Sequence, residues 1–316
     1  MASGLQKVEI AFEQPGTTHY GGMVRFQPLC RRLDRKRLCQ RYVPWEARDN
    51  TDQRTEWLRC LLYPMVAGLE RISDTRIRAD NRSFQRLWGL RRCPAEHPLR
   101  RFLKSLSPRA LRGIVRVHAG VRSTLRQLPR ARTSATVDLD ATGLPLDGWT
   151  IQGARVGDNP KKPRRPRAPP MVGFEGHRQE TIHGMLRPGD THPASAARRF
   201  FRTCQTKFPT YVNRKKLVLR VRADAGFYDK DFVQFLDENA VGYVLVAKMT
   251  GPLRARATAL RFRTFRQQGR WQAAQTSYQP MRWDSPHRFI LVRRPKPHRA
   301  DLATQLTLWE FKDFFY

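Results

Sequence analysis

The sequence predicts an α/β fold with a helical N-terminal region, a mixed sheet in the middle and a β-rich segment towards the end. Three observations point there. Residues 22 to 128 carry apolar side chains mostly at helical spacing. Residues 134 to 248 run in the order three strands, helix, strand, helix, strand. From residue 251 onward, extended patterns return around Gly269. Strands separated by helices cannot form hairpins, so that part of the sheet is expected to be parallel.

The elements follow in order. In TEWLRCLLYPMVAGLE, Trp57, Leu58, Leu61, Leu62, Met65 and Val66 fall at helical spacing. Pro64 lies inside that pattern and is expected to kink or split it. In SPRALRGIVRVHAGVRSTLRQLP, Ser107 caps and Pro108 suits the first turn. Leu111, Ile114, Val117, Val121 and Leu125 mark its apolar face; Arg109, Arg112, Arg116, Arg122 and Arg126 mark the other. That second face is either solvated or turned to a polyanion. TSATVDLDAT alternates with period two and reads as a strand, with WTIQGARVG as a second. DNPKKPRRPRAPP is a Pro-rich basic loop. MVGFEG and RQETIHGMLRPG are extended, HPASAARRFFRTCQ is a helix, and KKLVLRVRADAGF is a strand ending in a turn. YDKDFVQFLDENA is a helix, and VGYVLVAKM is a strand. LRFRTFRQQGRWQAAQ and HRFILVRR read as antiparallel strands. Four segments result: a helical N-terminal region over 1–130, expected to serve DNA binding and assembly, the sheet core over 131–250, a β-rich segment over 251–300, and a last piece over 301–316.

Composition narrows the partners. Hydrophobic residues make up 40% of the 316, enough for a folded core. Lys plus Arg number 60 against 27 acidic residues, a net charge of +33. Self-repulsion on that scale favours a polyanionic partner, and nucleic acid is the expected one. Cys30, Cys39, Cys60, Cys93 and Cys204 are scattered without zinc-site spacing and read as buried thiols. The opening MASGLQKVEIAFEQPG has no signal-peptide pattern, and no apolar run approaches the ~20 residues a membrane helix needs. The expected place is the cytoplasm, on the nucleoid.

Acidic residues in such a chain stand out. VDLDATGLPLDG puts Asp138 and Asp140 in a strand pattern, with Asp140 near its end. RADAGF puts Asp224 at the end of another strand, before a glycine turn. Sites in sheets with parallel strands gather at the carboxyl ends of those strands. Two carboxylates there suit Mg²⁺ or Mn²⁺, which take hard oxygen ligands and keep positions open for phosphate oxygens. The competing role is turn capping. Spacing alone leaves both open.

TVDLDATGLPLDG, VGDNPKKPRRP, MLRPGDTHPASAARRFF and LVLRVRADAGFYDKDFVQFLDENAVGYVLVAKM, in that order, resemble the DDE transposases of bacterial insertion sequences. The group named for insertion sequence 1380 is the nearest in pattern. LYPMVAGLERISDTRIRADNRSFQRLWGL and HPLRRFL resemble that group's helical N-terminal region. The resemblance implies a ribonuclease-H-like core, divalent metal ions and cut-and-paste transposition. It makes Asp140, two places before Thr142, and Asp224, before Gly226 and Phe227, the catalytic, metal-holding pair. On this reading Asp140 is buried in its strand as a metal ligand, and Asp138 on the same face has a supporting role. The implied partners are double-stranded DNA at the element's terminal inverted repeats and a second copy of the chain on that DNA.

This chain also departs from the family pattern. Asp158 replaces a tyrosine, and the segment that follows PKKP differs. The family's third carboxylate sits in a Y-x2-R-x3-E-x6-K signature. Tyr211 and Arg214 have the first spacing, but Val218 stands where the glutamate belongs. Glu310, in LWEFKDFFY, resembles the strand before that helix, and the chain stops at Tyr316. The resemblance therefore implies a transposase truncated before its third metal ligand. Its function is either DNA strand cleavage and transfer, or DNA binding by a remnant that inhibits intact transposase. The loop cations Lys161, Lys162, Arg164, Arg165 and Arg167 are the candidate phosphate contacts. Trp271 and Trp283 serve either core packing or stacking on a flipped base.

Overall fold

The computed structural model describes residues 22, 28–29, 32–33, 35–44, 51–68, 71–74, 85, 94–125, 134–148, 150–157, 164–177, 179–208, 218–264, 271–295 and 311–315. Two compact units divide the chain, Met1–Pro129 and Arg130–Tyr316.

The first unit is helical. Among the described residues its longer helices are α1 (Arg35–Tyr42), α2 (Thr51–Val66), α3 (Glu96–Lys104) and α4 (Pro108–Leu125). The Ala110 amide donates to Ser107 Oγ at 3.2 Å, so α4 starts where its cap residue predicts. Two glycines on α4 let α1 lie close. A Cβ at Gly113 would stand 2.8 Å from Val43 Cα, and one at Gly120 would stand 2.7 Å from Leu38 Cδ2. The contact face is therefore rotated from the expected one. Ala110 is buried, Leu111 is exposed, and Arg122, expected on the basic face, is buried. Pro64 does not split α2, which continues to Val66. A proline that near a helix's end removes little of the hydrogen-bond ladder. Trp57 of α2 meets Phe102 of α3 edge-on at 5.4 Å.

The second unit is built on a five-stranded mixed sheet of β1 (Ser134–Ala141), β5 (Pro170–Glu175), β6 (Glu180–Leu186), β7 (Val218–Ala223) and β8 (Gly242–Leu245), in the order β6-β5-β1-β7-β8. The first three strands form an antiparallel meander; β7 and β8 run parallel to β1. The parallel strands follow helices α5 (Pro193–Thr206) and α6 (Lys230–Glu238). Val137, Leu139, Met171, Ile182 and Val221 of the sheet are buried with Phe200, Phe201 and Cys204 of α5 and Phe232, Phe235 and Leu236 of α6. At roughly 25 cal/mol per Å² of apolar surface buried, this aromatic layer is the main stabilising element of the unit. On β1 the pattern is strict: Ala135, Val137 and Leu139 are buried, while Asp138 and Asp140 point to the other face.

Three short strands, β2 (Leu144–Pro145), β3 (Arg155–Val156) and β4 (Pro166–Ala168), form a small sheet in the order β2-β4-β3. Of WTIQGARVG only Arg155 and Val156 are strand; Thr150–Gly153 turn, and Gly153 has φ +83°. The rest of the unit is a four-stranded sheet, β12-β11-β10-β9, made of β9 (Arg263–Thr264), β10 (Gln272–Tyr278), β11 (His287–Pro295) and β12 (Phe311–Phe315). The strand at 311–315 thus adds to this sheet rather than to the five-stranded core, where the family resemblance places it. A helix, α7 (Gly251–Thr258), precedes β9 inside the stretch expected to be β-rich; the Leu253 amide donates to the Thr250 hydroxyl at its start. Gly269, the expected hairpin break, lies outside the described residues. Among the described residues, no helix is long and apolar enough to cross a membrane.

Candidate active site at the ends of two parallel strands

The rung Leu139↔Ala223 is the last that β1 and β7 share. The next residues on the two strands are Asp140 and Asp224, so the paired carboxylates come from adjacent strands at their carboxyl ends. Across β1, Asp140 sits opposite Val172 of β5. The two acids are close enough to interact. The Asp224 carboxyl has its pKa raised, chiefly by burial, with the charge of Asp140 adding to it and a hydrogen bond from the Gly226 amide opposing it. Asp224 Oδ1 accepts that bond at 3.0 Å and caps the short 3₁₀ turn Ala225–Phe227. Gly226 is needed there: a Cβ would lie 3.1 Å from Asp224 Oδ1 and 3.3 Å from Pro193 Cγ. Asp140 Oδ2 accepts from the Thr142 hydroxyl at 3.2 Å.

Asp140 is exposed, not buried in its strand as expected. It is the last acid on β1, past the final rung with β7 but still paired with β5, and its open side suits ligand access. Asp138 is engaged elsewhere. Arg222, opposite it on β7, donates Nε and Nη2 to the two Asp138 oxygens, both at 2.6 Å. That bidentate bond, with its charge, raises the Arg222 pKa. Gly176 stays small beside the pair, since a Cβ would sit 2.7 Å from Asp138 Oδ2. One strand face therefore carries a neutralised carboxylate and, two residues on, an unneutralised one.

Two neighbouring carboxylates, one of them pushed towards its neutral form by burial and by the other's charge, form a site that a divalent cation relieves. Among the described residues no group of three or more His, Cys, Asp or Glu side chains is placed to hold a metal. Among the described residues the donor set is a pair, which fits partial coordination of a hard cation. Tyr211, Arg214 and Glu310 lie outside the described residues, and Val218 is the exposed first residue of β7.

The loop cations divide. Lys161 and Lys162 lie outside the described residues. Arg164 is exposed with φ 63°, and Arg165 is exposed, with Nη1 3.6 Å from an Asp147 oxygen. Arg167 faces inward: its Nε donates to the Gly189 carbonyl at 3.0 Å. Nearby, Arg187 is buried, with Nη1 donating to the Thr191 carbonyl at 3.3 Å and, among the described residues, no partner for Nε or Nη2. Burial and the charge of Arg167 lower its pKa. Trp283 is packed, not presented: it stacks on Tyr228 at 5.1 Å and meets His287 edge-on at 5.0 Å.

Residues 4–307 match the family of DDE transposase domains described as Transposase DDE domain group 1, and the chain belongs to that family. No curated protein matches. Among solved structures, the chain is similar to a piggyBac transposase synaptic complex with hairpin DNA, at 13% identity and TM-score 0.36 over 73% of this chain and 50% of that one. It is also similar to a Mos1 transposase paired-end complex with left transposon end, at 9% identity and TM-score 0.25 over 63% of this chain and 61% of that one. The chain spans half to about three fifths of the length of these two proteins.

Proposed function

We propose that this chain is a DNA transposase of the DDE type, acting in insertion-sequence transposition by metal-dependent phosphoryl transfer, with Asp140 and Asp224 as its metal-holding acids. The observation that carries the reading is the placement of these two carboxylates on adjacent parallel strand ends, within each other's field. Family membership supports it, as does the strand order, which is that of a ribonuclease-H-like core. Bound there, Mg²⁺ or Mn²⁺ would activate an attacking hydroxyl and stabilise a leaving oxygen. The protein's own part is positioning. The Gly226 amide holds the Asp224 carboxylate, Thr142 holds that of Asp140, and Arg222 keeps Asp138 from competing for the ion.

The reading includes membership in the group named for insertion sequence 1380, assembly of two copies on terminal inverted repeats, and residence on the nucleoid. The exposed loop cations Arg164 and Arg165, with Lys161 and Lys162, are assigned to phosphate contact. Arg167 is assigned to holding the loop.

The test is nicking of a duplex carrying the element's ends, with Mg²⁺ or Mn²⁺, by the full chain and by Asp140→Asn and Asp224→Asn. Each substitution should abolish cleavage, a loss of at least ~10²-fold, since small misplacements of reacting groups alone cost that much. Isothermal titration should show divalent-ion binding to the wild type and its loss in both variants. Cleavage that survives both substitutions would overturn the reading. Tight duplex binding without cleavage in any metal would point to the other reading, a DNA-binding remnant that poisons intact transposase.

A further inference from the structure

We propose that the outer face of α5 is a track for the phosphate backbone of the duplex on which the carboxylate pair acts. The proposal rests on the reading that the carboxylate pair works on DNA. Ala197, Phe200, Phe201 and Cys204 turn α5 into the core. Its opposite face carries Ser195, Arg198, Arg199, Arg202, Thr203 and Thr206, which line a shallow depression of about 520 Å³. These positions recur every three or four residues, so they form one stripe along the helix.

Bare cations are expected in a chain with 60 basic and 27 acidic residues, so charge alone decides nothing. Three further features separate this stripe from an ordinary solvated face. First, among the described residues no carboxylate pairs with Arg198, Arg199 or Arg202, and α5 itself has none. Elsewhere the chain does pair its cations, as Arg100–Glu96 and Lys230–Asp284 show, both at 2.7 Å. Second, two of the three guanidiniums are held in place. Arg198 and Arg202 lie over the ring of Phe235, a buried side chain of α6, at 5.2 and 4.9 Å. Stacking restricts both side chains before any ligand arrives, which lowers the entropy cost of binding. The Ser195, Thr203 and Thr206 hydroxyls all donate to backbone carbonyls, so the arginine forks are what remains to meet an anion. Forked guanidiniums fit phosphate oxygens in pairs.

Third, α5 covers the face of the sheet opposite the one that carries Asp138 and Asp140, but its first turn reaches the strand ends where the acids lie. Pro193, the first residue of α5, packs against Gly226 in the turn that Asp224 caps. From Ser195 to Thr206 the helix rises ~16 Å at 1.5 Å per residue. That spans about five base pairs of duplex at ~3.4 Å each. The stripe carries no partner for a base edge beyond these arginines, so its contribution is independent of sequence.

The experiment measures the affinity of the full chain for a random-sequence duplex across a salt series. Arg198→Gln, Arg199→Gln and Arg202→Gln are combined in one variant. Arg199→Glu alone is the second, because Arg199 is exposed and its loss leaves the Phe235 stacks intact. A control variant combines Arg254→Gln, Arg261→Gln and Arg282→Gln, three exposed cations of the β-rich segment. The slope of log affinity against log salt should flatten by about 2.7 in the α5 triple variant and about 1 in Arg199→Glu, at ~0.9 for each phosphate no longer neutralised. The control should leave it in place. An unchanged slope in the α5 variants, or an equal change in the control, overturns the track. The readout needs no cleavage, so the two ideas separate. A wild type that does not nick DNA, with a slope that flattens in the α5 variants, sinks the catalytic reading and keeps the track. Nicking with an unchanged slope does the reverse. A wild type that binds no duplex overturns both.

Discussion

Asp138 and Asp140 lie two residues apart on one strand face, and their neighbours give them different work. Arg222 saturates the first at 2.6 Å; the second has a threonine hydroxyl and, one rung over, another acid. Asp224 bears the consequence. Burial and Asp140 favour its neutral form, so its folded pKa lies above its unfolded one. Between those two values folding takes up a proton, and stability falls as pH rises through the folded value. The cost is absent in acid below the unfolded pKa and fully present at neutral pH. Asp224→Asn carries no charge at any pH, and its amide oxygen can still accept from Gly226. Its unfolding midpoint should therefore exceed that of the wild type at pH 7. The advantage should shrink on acidification and vanish below the ordinary carboxylate range. Saturating Mg²⁺ should raise the wild-type midpoint alone and close the gap, because on the proposed reading only the intact pair would bind the ion. An equal midpoint at pH 7 without metal would refute this account of the pair. Arg187 invites the opposite substitution. Among the described residues its buried guanidinium has one weak bond and two nitrogens without partners, so Arg187→Met should cost no stability in a thermal melt, and a gain is expected. A loss of several degrees would show that the guanidinium is satisfied in solution.

Helix and strand periodicity carries most of the elements, and its failures have physical causes. Ala135, Val137 and Leu139 alternate with polar residues so strictly that β1 and its buried face are legible, and Asp224 is legible as a strand-end acid. On α4 the same logic chooses Leu111 for the core and Arg122 for solvent; both are reversed. The helix meets α1 through Gly113 and Gly120, and apolar spacing does not count a glycine as a contact. The helix α7 is hidden because LRARATALRFR alternates arginine with apolar residues, which mimics a strand; the Thr250-Gly251-Pro252 start is the signal that reveals it. The arginines of α5, proposed as a phosphate track, are masked because Phe200 and Phe201 identify the helix by its core face, and the other face reads as solvent. The α1–α4 contact gives a ranking to test. Ala at Gly113 meets backbone at Val43, which cannot rotate away, and should cost ~1–3 kcal/mol. Ala at Gly120 meets only the tip of Leu38, and the helix-propensity gain of up to ~1 kcal/mol should offset much of its cost. Chemical denaturation should rank Gly113→Ala well below Gly120→Ala. The reverse order would place the close contact elsewhere on α4.

At the scale of the whole chain, the net charge of +33 sets the terms on which it folds and binds. The chain has too few acids to pair its bases, and several of them, such as Asp224, Asp229 and Asp74, are committed to capping or turn contacts. Unpaired cations repel each other most in the compact state, so low salt should destabilise the free protein. Added salt shortens the Debye length from ~30 Å at 0.01 M to ~8 Å at 0.15 M and should relieve that repulsion. A bound duplex relieves it more completely, yet releases its counterions less favourably as salt rises. The two agents should therefore act in opposite senses. The melting midpoint of the free chain should climb as salt is raised from about 0.01 to about 0.15 M. With saturating random duplex the midpoint should start higher, gain least at high salt, and converge on the free curve. Differential scanning of both samples across the same salt series makes the comparison. A free-chain midpoint that is flat in salt would mean the charges are already balanced within the fold. A duplex gain that grows with salt would mean that backbone phosphates are not the partner of this surface.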